Sequence, residues 1–233
     1  DLRRAFQRPE SFEVAAGVAV SRDLPMVRGA AIEGQVLDGA SQPAANIVVS
    51  ALRFVYDENG RRPAPVGQTR TDDRGRFRVH TLPAGEYYLE AAPDPLDALT
   101  RPAVPGQPAT TLERTYYPGA PRIDGGQTIS LALGATTSDL VVVLPRVQTA
   151  ALRGRVLDST GAATPNSMVR IQRAGGPVGE VRGTVNPSNQ VFSYPSVPSG
   201  TYWLMGVARP APGAPLEFSA TPLTVAGQDL TDL

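Results

Sequence analysis

The chain has 233 residues, of which 41% are hydrophobic and 19% charged, and its 22 basic residues balance 22 acidic ones. Because the net charge is close to zero, the chain lacks the electrostatic attraction that sequence-independent binding to nucleic acid requires. It contains no cysteine, which excludes disulfide bonds, and no apolar run of about 18 residues that would predict a membrane-spanning helix.

Glycine and proline, 23 of each, separate short runs of valine, leucine and isoleucine, a pattern typical of many short strands joined by turns. The chain begins at Asp1 rather than at a methionine, which suits a processed mature product or an excised fragment. Residues 1–24 precede the first regular strand pattern, and we expect them to be extended because small residues separate the apolar ones. These apolar residues are Phe12, Val14, Val18 and Val20.

From about residue 25 to residue 147, apolar residues recur at every second position, which is the period of a strand with one buried face. A tight hairpin is predicted at Thr71–Phe77, where aspartate and glycine provide the turn. The alternation predicts a first sandwich unit. Its core-facing residues are expected to be Ile32, Val36, Ile47, Val49, Ala51, Phe77, Val79, Tyr87, Leu89, Ala91, Ile129, Leu131, Leu133, Leu140, Val142 and Leu144.

The rest of the chain repeats this first unit. Ala31–Asp38 recurs as Ala151–Asp158, 120 positions later, and Leu82–Leu89 recurs as Val197–Leu204, 115 positions later. The preserved order indicates two copies of one unit, the second from about residue 148 to residue 233. About seven short strands in each copy predict an all-β fold of two tandem Greek-key antiparallel β-sandwiches, each with seven strands.

The first copy carries three motifs in order: Ile32-x-Gly34-x-Val36-x-Asp38, Thr71-Asp72-x-x-Gly75-x-Phe77 and Leu82-Pro83-x-Gly85-x-Tyr87-x-Leu89. Together they resemble the carboxypeptidase regulatory-like domain, and the resemblance covers most of both copies. It implies a transthyretin-like sandwich of the kind found in bacterial secreted and surface proteins, where it serves as an accessory module. The second copy departs from this pattern at Asn186–Gln190, which replaces the aspartate and glycine of the predicted hairpin.

The repeat also predicts an unpaired strand at each end of the chain. Pro25 lies 120 positions before Pro145, and Pro145 follows the strand Leu140–Leu144. The segment Phe12–Leu24 therefore stands where the closing strand of a preceding sandwich would stand. The second copy stops at Leu233, which aligns with the first residue of that closing strand, so its own closing strand is missing. A sandwich without its closing strand exposes core and backbone groups.

Two hypotheses account for this pattern. In the first, the N-terminal segment of one copy completes the second sandwich of the next copy by donor-strand complementation, which would propagate head to tail into a filament. The donated apolar residues would be Phe12, Val14, Val18 and Val20. The acceptor groove would be lined by Val169, Ile171, Tyr202, Leu204, Val225 and Leu233. In the second hypothesis, the chain is a piece of a longer array, and neighbouring modules of the same polypeptide supply the flanking strands.

No residue pattern points to catalysis or to a bound cofactor. His80 is the only histidine and lies on the outward face of a strand pattern, so a His-based metal site or catalytic triad lacks its partners. The acidic turns at Asp57–Gly60 and at Asp72 do not have the spacing of a calcium loop, and Asx-type turns account for them. Lysine is absent, which excludes a Gly-Lys-[Ser/Thr] phosphate loop. We therefore expect no enzyme activity, no cofactor and no metal site.

Several aromatic side chains are expected on the surface. By the alternation of its strand, Tyr202 faces the core and Trp203 faces away from it, and Tyr88 has the corresponding outward position in the first copy. Tyr116 and Tyr117 end a proline-rich connection whose length is often functional. Exposed aromatic side chains anchor protein interfaces or stack on sugar rings. Alternatively, the long connection folds back and covers Tyr88.

These observations predict a non-enzymatic structural protein located outside the bacterial cell or on its surface. In the first hypothesis it is a filament subunit, and its partner is another copy of itself. In the alternative it is a pair of accessory modules of a larger secreted or surface protein, which bind protein or carbohydrate through the exposed aromatic residues. Neither hypothesis involves nucleic acid or a membrane span.

Overall fold

The structure is a computed structural model and describes residues 17, 19, 21, 23, 26–58, 60–94, 109–164, 167–174, 181 and 183–233. Within these residues the regular structure is almost entirely β, with one short 3-10 turn at Ile123–Gly125. The prediction of an all-β sandwich fold is confirmed. In chain order, the strands are β1 (Ala30–Asp38), β2 (Ile47–Asp57), β3 (Gly60–Arg70), β4 (Arg76–Leu82), β5 (Gly85–Pro93), β6 (Thr110–Leu112), β7 (Thr115–Tyr116), β8 (Ile129–Leu131), β9 (Thr136–Leu144), β10 (Arg146–Arg155), β11 (Met168–Arg173), β12 (Thr184–Val185), β13 (Val191–Pro198), β14 (Gly200–Ala208) and β15 (Glu217–Val225).

The chain divides into two compact units. The first unit holds the described residues up to Ala92 together with Arg114–Leu144, and the second holds the described parts of Pro93–Glu113 and Pro145–Leu233. Each unit is therefore built from two separate stretches of chain, because the stretch that connects β5 to β7 belongs in large part to the second unit. The sequence repeat predicts a boundary near residue 147. It does not predict that the described parts of Pro93–Glu113, which lie between the two stretches of the first unit, belong to the second unit.

In the first unit, one sheet has the strand order β4-β1-β9 and the other has the order β3-β2-β5-β7, with β8 also paired to β5. The two sheets bury alternate side chains between them, as the period of an extended strand requires. In β4, for example, Phe77 and Val79 are buried, whereas Arg76 and Arg78 are exposed. The core of this unit therefore follows from the sequence alternation.

The second unit has the same two-sheet construction. Its sheets have the orders β12-β13-β10-β6 and β11-β14-β15. Between them lies one apolar cluster, from which Leu152, Val197 and Tyr202 are almost completely excluded from solvent. The other buried members of the cluster are Ala150, Ile171, Phe192, Tyr194 and Val225.

One strand pair departs from the predicted antiparallel arrangement. β9 runs parallel to β1, from Ala31 opposite Thr136 to Asp38 opposite Leu144, with a shift in register between Ile32 and Gly34. The reason is that β9 does not follow its partner through a hairpin. It arrives from β8, which belongs to the other sheet, through a turn closed by a hydrogen bond from the Ala135 amide to the Ala132 carbonyl. When the chain crosses from one sheet to the other, its next strand can run parallel to a strand that was formed much earlier in the sequence.

Two local predictions were wrong. The turn after Thr71 exists, with the Asp72 amide donating to the Arg76 carbonyl, but it joins β3 to β4, which lie in different sheets, and is therefore not a hairpin. Leu133 is 60% exposed rather than buried, because β8 ends at Leu131 and the chain turns there. In both cases the chain passes from one sheet to the other at this point, which the sequence pattern does not show.

Candidate strand-docking edge of the second unit

In the first unit, β1 has a partner strand on both sides. β4 pairs with it antiparallel, and β9 runs along its other side with Gly34 opposite Leu140 and Val36 opposite Val142. Val36, Val142 and Leu144 are fully buried. β9 therefore closes the core along the second half of β1.

This close approach of β9 depends on a glycine in β1. A Cβ at Gly34 would collide with the carbonyl oxygen of Leu140. The second unit repeats the arrangement, since a Cβ at Gly154 in β10 would collide with the carbonyl oxygen of Leu233. The last residues of the chain therefore lie against β10 where the first residues of β9 lie against β1.

The hydrogen bonds of the chain end follow the same parallel path. The Leu230 amide donates to the Ala151 carbonyl at 2.9 Å, and the Arg155 amide donates to the Leu233 carbonyl at 3.2 Å. Asp232 has a φ of 64°, close to the 61° of the aspartate at the equivalent point of β9. Aspartate is among the residues that tolerate this left-handed conformation. The chain end thus begins the strand that β9 completes in the first unit.

Beyond Leu233, the edge next to β10 is open within the described residues. Val156 uses its amide and carbonyl on the opposite side, where its amide donates to Gln190 and its carbonyl accepts from Thr164. In an extended chain the backbone groups of neighbouring residues point to opposite sides. The amide and carbonyl of Leu157 therefore point toward the open side, and no described residue forms a backbone hydrogen bond with them.

The side chains at this edge are also more exposed than their counterparts. Val156 is only partly buried, whereas the equivalent Val36 is fully buried. Leu157 is 50% exposed, whereas the equivalent Leu37 is half-buried against β9. We call residues Arg155–Asp158 the open edge. It combines unused backbone groups with aliphatic side chains, which is the chemistry that an added strand requires.

Leu233, one of the residues predicted to line the acceptor groove, lies at the open edge, where its carbonyl accepts from the Arg155 amide. Leu233 is 39% exposed, and the other five pack in or against the apolar cluster of this unit. These five are Val169, Ile171, Tyr202, Leu204 and Val225. Val156 packs against the same cluster, and the unpaired backbone groups belong to its neighbour Leu157; neither residue is among the predicted ones. The signal that could have found them is the 120-residue offset from Val36 and Leu37, the residues that β9 covers.

The predicted donor residues Phe12, Val14, Val18 and Val20 lie outside the described residues. Their role therefore stays a prediction from the sequence. Val18 and Val20 are two positions apart, which is the spacing of Val142 and Leu144, the buried pair at the end of β9.

Among the predicted surface aromatics, Trp203 is 45% exposed and lies opposite Gln172 on the neighbouring strand. Tyr88, its counterpart in the first unit, is only partly exposed. The ring of Tyr88 packs edge-on against Phe54, with ring centroids 5.5 Å apart, and a Cβ at Gly126 would lie 3.4 Å from it. The long connection therefore packs on Tyr88, whereas Trp203 stays accessible.

Tyr116 does not belong to an exposed surface, contrary to its predicted place there. It is 6% exposed, and its neighbour Tyr117 is half-buried. Burial first, and then the charge of Glu90, raise the pKa of Tyr116 to about 12, against the opposing charge of Arg114. Arg114 and Glu90 form an ion pair at 2.8 Å with both side chains largely buried. Tyr116 therefore belongs to a structural polar cluster.

The described residues show no group of three or more His, Asp or Glu side chains that could hold a metal ion. His80 is exposed, and its Nδ1 lies 2.8 Å from the hydroxyl of the adjacent Thr81. No helix in the described part of the chain has the length and apolar character needed to cross a bilayer.

Comparison with known proteins gives distant likenesses only. No family model matches the chain, and no curated protein matches it. A streptococcal ancillary pilin aligns over 85% of this chain and 59% of its own, at 14% identity and a TM-score of 0.36. The minor pilin of Streptococcus agalactiae aligns over 88% of this chain and 93% of its own, at 12% identity and a TM-score of 0.33. The TIE protein of Bacillus anthracis aligns over 88% of this chain at 18% identity and a TM-score of 0.30.

This chain spans 33% of the length of the Bacillus anthracis chain and 59% of that of the ancillary pilin. At these identities and TM-scores, the likenesses carry no argument about how this chain works. They also leave the resemblance to the carboxypeptidase regulatory-like domain as an expectation from the sequence.

Proposed function

We propose that this chain is a non-enzymatic structural subunit of a bacterial surface filament, in which copies join by strand donation. The observation that carries the proposal is the open edge of the second unit. There a parallel strand begins with the residues up to Leu233, as β9 begins at β1, and the backbone of Leu157 has no described partner. In this proposal the occupant is the N-terminal segment of a second copy.

The spacing of apolar residues in the proposed donor segment matches the spacing of the buried side chains in β9. In β9 the side chains of Val142 and Leu144 enter the core and those of Val141 and Val143 remain outside. A donor must therefore present two apolar side chains, two positions apart, to the core. Val18 and Val20 provide this pair, separated by the small Ala19, which would face outward. This register is shifted by four residues from the alignment of Pro25 with Pro145, and an even shift keeps the same side chains on the inner face.

The expected gain in free energy is large enough for a stable joint. Burying each aliphatic side chain contributes about 1.5–3 kcal/mol. The donated strand would also satisfy the amide and carbonyl of Leu157 and cover Val156. Because the donor and the acceptor are different surfaces of one chain, the joint is head to tail and extends into a filament unless it closes into a ring.

The test compares two matched substitutions in the donor by sedimentation velocity. Val18→Asp places a charge at a position that we expect to be buried, whereas Ala19→Asp places the same charge at the outward position next to it. We expect the chain and its Ala19→Asp variant to form oligomers that grow with concentration, and the Val18→Asp variant to remain monomeric. Equal behaviour of the two variants would contradict donation by this segment.

A second candidate function, as an accessory module that binds protein or carbohydrate, is favoured by the exposure of Trp203. Its indole is accessible on the outer face of β14. A change in Trp203 fluorescence on addition of an oligosaccharide, with no oligomers formed by the chain, would favour this function over the filament. Oligomers together with an unchanged fluorescence would favour the filament.

A further inference from the structure

The second unit contains an added strand that has no counterpart among the described residues of the first unit. β6 pairs antiparallel with the start of β10, with Leu112 opposite Arg146 and Thr110 opposite Gln148. The Thr149 amide donates to the Ala109 carbonyl at 2.8 Å, which extends the ladder. β6 therefore occupies the backbone edge along the first residues of β10, so that no other strand can pair there.

The residue after β6 adds a charged contact to this pairing. The Glu113 carboxylate forms an ion pair with the Arg173 guanidinium, and the two side chains are 12% and 24% exposed. Arg173 is held in place because its Nη2 donates to the Ser199 carbonyl at 2.9 Å and its guanidinium lies 5.7 Å from the ring of Tyr202. The strand and the carboxylate thus dock as one segment, Ala109–Glu113.

The first unit repeats the receiving half of this arrangement. Met26 and Val27, the counterparts of Arg146 and Val147, are 87% and 63% exposed and belong to no strand. Arg53, the counterpart of Arg173, donates through Nη2 to the carbonyls of the turn that ends in Gly85, and its guanidinium lies 4.2 Å from the ring of Tyr87. Among the described residues, no carboxylate forms an ion pair with Arg53.

We propose that Met26–Gly29 and Arg53 form a docking site for an extended acidic segment of a partner protein. The segment pairs with Met26–Arg28 as an antiparallel strand and places a carboxylate on the Arg53 guanidinium. Charge complementarity and the occupied equivalent site in the second unit both specify its chemistry: a short β-strand whose last residue is acidic, as in the Thr-Thr-Leu-Glu sequence of Thr110–Glu113.

The described residues of a second copy do not supply this segment. Within one chain, Thr110–Glu113 is already paired with β10. The second unit has no comparable inserted strand, because the connection Arg209–Leu216 leads from β14 directly to β15 without a strand of its own. Neither of these described segments is therefore free to occupy the site, and the proposal of a different protein as partner does not depend on the proposed filament.

The ladder of the second unit also defines which backbone groups the partner would use. Hydrogen-bonded and non-bonded pairs alternate along an antiparallel ladder. The bond from Thr149 to Ala109 therefore places Val147 in a bonded pair and Arg146 in a non-bonded pair. By equivalence, the amide of Val27 should bond the partner strand and the amide of Met26 should not.

The test uses the full chain, labelled with ¹⁵N, and a synthetic peptide with the sequence Ala109–Glu113, blocked at both ends so that glutamate is its only charge. We expect the peptide to shift the amide signals of Val27 and Gly29 and the side-chain signal of Arg53, and to leave Val147 unchanged. A matched peptide with glutamine in place of glutamate should bind about fivefold more weakly, because the charge-assisted bond to Arg53 is lost.

Two protein variants keep the test independent of Arg53, whose replacement would disturb the turn that it holds. Val27→Pro removes the amide that should bond the peptide and is expected to abolish binding, whereas Met26→Pro removes an amide that should not take part and is expected to preserve it. The proposal is overturned by the absence of shifts up to about 10 mM peptide. It is equally overturned if the peptide shifts the amide signal of Val147 in place of that of Val27. Equal affinity of the glutamate and glutamine peptides, or equal affinity of the glutamate peptide for the two proline variants, would also overturn it.

Discussion

The carbonyl oxygen of Leu233 lies so close to the α-carbon of Gly154 that no side chain could be accommodated at this residue. Leu140 and Gly34 have the same relationship in the first unit. The two pairs show that a parallel strand enters each sandwich by the same route. In the first unit the strand continues to Leu144, and in the second unit the described chain follows the route only to Leu233.

Alanine at these two glycines should therefore have unequal effects. Gly34→Ala forces all of β9 away from β1, and we expect it to destabilise the first unit by about 3 kcal/mol. Gly154→Ala displaces only the last few residues of the chain, and we expect a loss of less than about 1 kcal/mol. Urea unfolding followed by circular dichroism measures both. Equal losses would contradict the claim that the described chain end contributes less stability than the complete strand β9.

Proline at the two equivalent leucines should separate stability from assembly. Leu37→Pro removes an amide within the β1–β9 ladder and should cost the first unit about 3 kcal/mol. Leu157→Pro removes an amide that has no described partner, so the thermal unfolding temperature should hardly change, whereas assembly should be lost. Calorimetry and sedimentation velocity report the two properties. Assembly of the Leu157→Pro variant at the normal concentration would contradict the proposed role of the open edge.

The buried ion pair beside β6 should contribute more stability than an exposed pair in the same chain. Glu113→Gln leaves Arg173 without its charged partner in a largely buried position, and we expect the second unit to lose about 2 kcal/mol. Asp124→Asn breaks the pair with Arg122, whose side chains are 66–69% exposed, and should cost less than about 0.5 kcal/mol. Trp203 is the only tryptophan, so its fluorescence during urea unfolding reports on the second unit, and circular dichroism in the same experiment reports on the first unit, which contains Asp124.

Tyr194 should make the second unit sensitive to alkaline pH. Burial raises the pKa of Tyr194 from 10.0 to about 12, and its hydroxyl donates to the Val169 carbonyl at 2.8 Å. The unfolded tyrosine loses its proton near pH 10, and the folded one keeps it to about pH 12. The stability that this proton provides is therefore complete below pH 10 and is lost as the pH rises to 12, by about 2–3 kcal/mol.

Tyr194→Phe has no proton to lose and should flatten this decline. The variant should be less stable than the parent chain by about 1 kcal/mol at pH 7, because the hydrogen bond to Val169 is missing. The difference should be the same at pH 9 and should shrink or reverse between pH 10 and pH 12. A constant difference across this whole range would show that Tyr194 does not titrate with the pKa given above.

The all-β fold could be predicted because alternation and turn residues act locally. Phe77 and Val79 face the core simply because they are two positions apart in an extended strand with polar neighbours. The assignment of Thr110–Leu112 to the second unit could not be predicted in this way. The pairing of Thr110–Leu112 with β10 depends on a contact between segments far apart in sequence, and such a short strand has no periodicity of its own.

The sequence predicts a strand interrupted at Leu233, and the acceptor residues that it names remain a prediction. The alignment of Leu233 with Leu140 rests on the aspartate that precedes each of them, and both aspartates have a positive φ in the structure. The choice of acceptor residues then followed apolar side chains such as Ile171, which already have their core partners. The amide and carbonyl without a described partner belong to Leu157. The pattern of side chains in a sequence does not show which backbone amides lack a partner.

The most direct test of the central claim is negative-stain electron microscopy of the purified 233-residue chain beside a version that lacks residues 1–24. Strand donation predicts filaments or rings from the intact chain and isolated particles from the shortened one. Addition of a peptide with the sequence of residues 10–24 to the shortened chain should then protect the Leu157 amide from hydrogen exchange without restoring filaments. Isolated particles from both chains, or filaments from both, would contradict the claim that the N-terminal segment of one copy completes the second unit of the next.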